Sequence, residues 1–147
     1  MNKHLYLHLA TAVLLSVLGV TAQAQSRSSQ QLRVSIPFAF NVGDSTLAPG
    51  EYNVRIVNPS SDHSVLSFAE IKGGPAVMIR TTDIVGWSAA KAKLTFRHYG
   101  DKYFLAQVWM ASDSTGLATP SSRDEQTLRR QMVKSGKTFD LVAVNAR

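Results

Sequence analysis

The stretch FRHYGDKYFLAQVW, residues 96–109, decides how this chain is read. Gly100-Asp101 carries turn chemistry, with glycine supplying backbone freedom and aspartate a short side chain that bonds locally. On either side the residues alternate. Leu94, Phe96 and His98 fall on one face and Thr95, Arg97 and Tyr99 on the other; Tyr103, Leu105, Gln107 and Trp109 alternate with Phe104, Ala106, Val108 and Met110. Period two in aromatic and branched residues is the signature of pleated strands, so the spacing predicts a hairpin with Tyr99 and Tyr103 as cross-strand neighbours.

Working outward, the same texture recurs at intervals of about ten residues, the spacing of an all-β chain. Val34, Ile36, Phe38 and Phe40 predict a first strand, with Pro37 at an edge or bulge because it cannot donate to a ladder. Pro49-Gly50 suits the centre of a type II turn, and Tyr52, Val54 and Ile56 follow as a second strand. VLSFAEI (65–71) and AVMIRTTDIV (76–85) predict two more strands joined through Gly73-Gly74, a glycine pair that permits positive φ. Such a pair opening a strand is not a phosphate cradle, which carries a longer glycine pattern and opens a helix.

The texture changes at Ser112. SDSTGLATPSS reads as loop, and Ser122 then stands three residues before Glu125, the spacing of a reciprocal capping box. A short helix is expected over 127–134, with Leu128 and Met132 on its buried face, Arg130 and Lys134 near its end, and Gly136 as its stop. The tail KTFDLVAV predicts a last strand with Phe139, Leu141 and Ala143 on one side and Val142 and Val144 on the other. The fold class is therefore mainly β: an antiparallel sandwich or small barrel of about seven strands with one short C-terminal helix.

The first 24 residues differ from the rest. A cationic start, an apolar run from Leu5 to Val20 and the small residues of Ala22-Gln23-Ala24 have the layout of a secretory signal peptide cleaved near Ala24. The apolar run is shorter than the ~20 residues of a membrane span, so no span is expected to be retained. Residues 25–31 read as a flexible lead and 32–147 as one β-rich domain. With no cysteine in the chain, stability has to come from the core, which about 120 residues are enough to build.

The formal net charge is +6. Export argues against nucleic acid as the natural partner, and an excess of cations then points to anionic envelope polysaccharide or lipid head groups. Arg55, Arg80, Lys93 and Arg97 are the outward-facing candidates on strands. Past the leader the histidines are His63 and His98, and with Asp101 they make the one polar cluster worth testing. Neither HExxH nor a paired-Cys pattern is present, so no metal and no cofactor is expected. GxSxG is absent. Nothing in the spacing of Glu51 and Glu70 singles them out as a glycosidase pair.

The segments IPFAFNVGDSTLAPGEYNVRIV (36–57) and AKLTFRHYGDKYFLAQVWMASDSTG (92–116) together resemble an uncharacterised family of small exported bacterial β-rich proteins. Its members share a "PFxF" strand, an "LPAGEY"-like turn, a "KLxFxRYG" hairpin ending near "YFLxxVW", and a charged C-terminal helix. The likeness covers most of residues 34–134; here the turn reads LAPGEY. It implies export and a β fold, and no activity. The expected function is a non-enzymatic envelope or extracellular binding or structural domain. The alternative is a small hydrolase, or a carrier with a barrel interior lined by Phe38, Phe40, Phe96, Tyr103 and Trp109.

Overall fold

The computed structural model describes residues 31–58 and 64–147. The expected leader and its cleavage point lie outside these described residues. So does His63.

Two antiparallel sheets face each other as a sandwich and do not close into a barrel. The first contains β1 (Gln31–Ile36), β4 (Gly50–Ile56), β5 (Val65–Glu70) and β6 (Val77–Arg80), in that spatial order. The second runs β11 (Asp140–Asn145), β8 (Lys93–Tyr99), β9 (Lys102–Trp109), β10 (Thr115–Ala118), β7 (Thr82–Val85). A small hairpin of β2 (Phe40–Val42) and β3 (Ser45–Leu47) joins it through a parallel contact of β2 with β9. The helix α1 spans Arg123–Lys134.

The described residues hold eleven strands where the sequence predicts about seven. The expected strand over 34–40 ends at Ile36, because Pro37 withdraws a donor and the chain crosses from β1 in one sheet to β2 beside the other. AVMIRTTDIV divides at Thr81. Its backbone N–H and hydroxyl both donate to the Ser64 carbonyl, at 2.9 and 2.8 Å, and this double bond turns the chain between sheets. TGLA, expected as loop, is β10. Gly50 opens β4 opposite Ile36 without positive φ, so the type II turn expected at Pro49-Gly50 is not formed.

The main hairpin is as expected in position. Gly100 has φ of 65° and Asp101 follows without positive φ, the requirement of a II′ turn. Its pairing differs: Tyr99 sits opposite Lys102, and Tyr103 opposite His98. A β-bulge shifts register between Thr95 and Phe96, leaving Ala106 as the extra residue on β9.

The core lies between the sheets. Val34, Tyr52, Val54, Leu66 and Phe68 from the first sheet meet Leu94, Phe96, Leu105 and Val108 from the second, with Phe40 fully buried among them. Phe40 makes edge contacts with Tyr52 at 5.3 Å and Phe96 at 5.5 Å, an arrangement that aromatic quadrupoles favour.

The helix starts earlier than expected, at Arg123. Ser122 caps it by accepting from the Glu125 backbone N–H at 3.2 Å. At the other end Gly136 adopts φ of 67°, its N–H bonds to Val133 O and that of Lys137 to Met132 O, a Schellman closure that requires the glycine.

Candidate functional site

The outer face of the first sheet is built by alternation. Leu32, Val34, Tyr52, Val54, Leu66, Phe68 and Ile79 point inward, so the intervening residues point out. Register places Gln31, Arg55, Ser67 and Met78 in one row, Arg33, Asn53 and Ala69 in the next, and Arg80 beside Val65. Ser67 and Ala69 are short, and with Gln31, Asn53 and Arg55 they line a polar trough of about 170 Å³.

Arg33, Arg55, Arg80 and the tail residue Arg147 bring guanidinium groups to this side of the protein. Glu51, also outward, accepts from Arg33 Nη2 at 2.7 Å and from Arg147 Nη1 at 3.1 Å. The hydrogen bond and charge of Arg33 hold the Glu51 carboxyl below the usual carboxylate range; burial opposes them, and Arg147 and Lys72 add smaller contributions in the direction of Arg33. Arg55 and Arg80 have no carboxylate partner among the described residues. They stem from strands two apart and rows two residues apart, ~12 Å between their backbones.

The sequence candidates thus divide. Arg55 and Arg80 share a face; Lys93 and Arg97 lie on β8, on the outside of the other sheet. Arg97 does not point to solvent as expected. It forms a two-pronged ion pair with Glu125, through Nε to Oε1 and through Nη2 to Oε2 at 3.1 Å, and Nη2 also donates to the Leu105 carbonyl at 3.2 Å. Tyr99 Oη donates to Glu125 Oε1 at 3.1 Å.

Glu125 is 2% exposed, so its charge would be costly without these partners. Burial pushes the Tyr99 phenol up, and the charge and hydrogen bond of Glu125 act in the same direction, opposed by Arg97 and Arg129. The cluster pins α1 to the sheet. It offers guanidinium, carboxylate and phenol in mutual contact, a saturated set with no nucleophile and base arranged toward a substrate.

His98 stacks on Tyr103, ring centroids 4.2 Å apart, and Tyr103 stacks in turn on Phe38 at 3.9 Å. Its cross-strand neighbours are Tyr103 and Asp140. Asp101, at the hairpin tip, instead lines a cleft of about 180 Å³ with Asn41, Asp44 and Asp124. Among the described residues no group of three or more His, Cys, Asp or Glu side chains is placed to hold a metal. No helix among them is long and apolar enough to cross a membrane.

Of the aromatic residues considered as a barrel lining, Phe38, Phe40, Phe96 and Tyr103 pack ring on ring between the sheets. Trp109 is not with them. Its indole lies on the outer side of the second sheet across Gly116 and Gly86, and a Cβ at residue 116 would stand 2.7 Å from the ring.

Sequence reasoning missed Arg33 and Arg147 as members of the cationic face. Arg33 was visible as the polar partner in the Val34/Ile36 alternation, whereas nothing local places Arg147 beside Glu51. No family model, curated protein or solved structure matches the chain. The fold and face define a two-sheet β-sandwich carrying a cationic polar surface on its first sheet.

Proposed function

We propose that the protein is an exported, non-enzymatic β-sandwich that holds an anionic polysaccharide of the cell envelope against the outer face of its first sheet. The observation that carries this reading is the shared face of Arg33, Arg55 and Arg80, with Arg55 lining a polar trough and the face's carboxylate Glu51 already neutralised by Arg33 and Arg147. Guanidinium groups bind carboxylate or phosphate through paired hydrogen bonds. The amides of Gln31 and Asn53 and the hydroxyl of Ser67 are the donor and acceptor types that sugar hydroxyls need. Export rests on the leader-like first 24 residues, and the basic net charge suits an anionic surface.

The test is retention of the exported protein on an immobilised acidic polysaccharide between about 0.1 M and 1 M salt, where the screening length falls from ~10 Å to ~3 Å. Retention that decreases with salt, and is lost in the pair Arg55→Glu and Arg80→Glu but kept in Lys93→Glu, supports the reading. Retention independent of salt, or preference for anionic lipid vesicles over polysaccharide, overturns it.

A further inference from the structure

We infer that the free edge of β6 is a docking site for an extended acidic peptide segment of a partner protein, bound by strand addition. This goes beyond the polysaccharide reading and does not depend on it. Among the described residues β6 is the terminal strand of its sheet and pairs with β5 alone. No backbone bond from Val77–Arg80 reaches any other element among the described residues. The opposite side of the sandwich is tied instead, by the Arg147 N–H donating to the Arg33 carbonyl at 2.9 Å.

Unpaired strand edges recruit other chains unless proline, a bulge or an inward charge blocks them. The segment VMIR is short and ends on Arg80, but it holds no proline and no bulge, and its inward residues are the apolar Val77 and Ile79. A groove of about 470 Å³ borders it, walled across by the β2–β3 turn and by Pro120–Arg123. That volume is within the ~300–1,000 Å³ typical of ligand clefts. Strand addition takes affinity from main-chain hydrogen bonds and selectivity from sites for alternate side chains. Val77, Ile79 and the exposed Met78 supply an apolar side to this groove, and Arg80 and Arg123 supply charge.

Neither of those guanidinium groups has an ion-pair partner among the described residues. Asp44 is the one carboxylate among the lining residues, so the excess is cationic and favours an acidic occupant.

The probe is a fluorescein-labelled peptide EVEVEVE, titrated by anisotropy, with amide hydrogen exchange read on the same sample. Saturable binding that protects the amides of residues 77–80, fails with KVKVKVK and is lost on N-methylation of alternate peptide bonds supports the inference. Arg123→Glu should weaken binding about tenfold. Residue 123 opens a helix, where an acid is well tolerated, and it lies off the proposed polysaccharide face, so this variant separates the two readings. Absence of binding, or undiminished binding of the N-methylated peptide, overturns the inference. Protection of residues 77–80 that rises with protein concentration alone does so too, by assigning the edge to a second copy of the chain.

Discussion

The carboxylate of Glu125 and the guanidinium of Arg97 meet in two near-parallel hydrogen bonds between helix and sheet, with Glu125 almost wholly removed from solvent. The bulge at Ala106 lies beside this pair: Leu105 O accepts from Arg97 Nη2 at 3.2 Å and from the Thr119 hydroxyl, and Ala106 O accepts from the Thr119 N–H at 2.9 Å. Breaking a buried pair by removing one partner strands the other charge. Glu125→Ala should therefore cost about 3 kcal/mol in urea unfolding. The double variant Arg97→Met with Glu125→Leu should cost less than that single change. Additive losses would show that the two groups act independently.

Trp109 and Gly116 are cross-strand partners, and the ring lies where any residue-116 side chain would begin. Gly116→Ala should destabilise by about 1–3 kcal/mol through overpacking. The same change in a Trp109→Leu background should cost much less, because the obstructing ring is gone. Equal costs in the two backgrounds would place the penalty in the backbone of β10.

These two relationships mark where the sequence stops being readable. Alternation is a local property, so the β8–β9 hairpin, the inward residues of β1 and β4 and the two faces of β11 could all be located from it, but not that the Leu141 face is exposed. TGLA carries a glycine and turn-like neighbours, and its identity as β10 depends on a tryptophan seven residues earlier covering that glycine. The Ser122 and Glu125 spacing marked the cap, yet the helix was expected only from Thr127 and begins at Arg123. It also suggested that Glu125 folds back on its own cap, when Arg97 and Tyr99 are what hold it. The pairing of Arg55 with Arg80 on one face required the register of three strands, and the division of AVMIRTTDIV between two sheets hid that register.

Alkaline pH should weaken the fold. Burial, followed by Glu125, raises the Tyr99 phenol above its ordinary value, and burial, followed by Glu70, does the same for Tyr52. Groups raised in the folded state contribute stability that is complete below the unfolded value, ~10 for tyrosine, and lost as pH climbs through the folded values. Urea midpoints should be flat up to about pH 9.5 and fall above about pH 10. Phenolate absorbance should appear later than in the unfolded chain. Tyr52→Phe and Tyr99→Phe together should remove most of the fall; an unchanged profile would assign it to other groups.

Glu51→Gln should strengthen polysaccharide binding. Glu51 occupies Arg33 and Arg147, and the hydrogen bond and charge of Arg33 lower its carboxyl pKa below the ordinary value. Removing that charge releases two guanidinium groups to the ligand. The gain should be roughly threefold, as befits exposed ion pairs, with a steeper salt dependence. Weaker binding would mean that Glu51 itself contacts the sugar.

The most direct measurement is chemical-shift mapping of the backbone amides during titration with an acidic oligosaccharide. Shifts should concentrate on Gln31, Arg33, Asn53, Arg55 and Ser67, saturate together, and shrink as salt is added. Shifts confined to the second sheet, around Lys93 and β11, or none at millimolar-scale oligosaccharide, would contradict a polysaccharide-binding role for the first sheet's outer face.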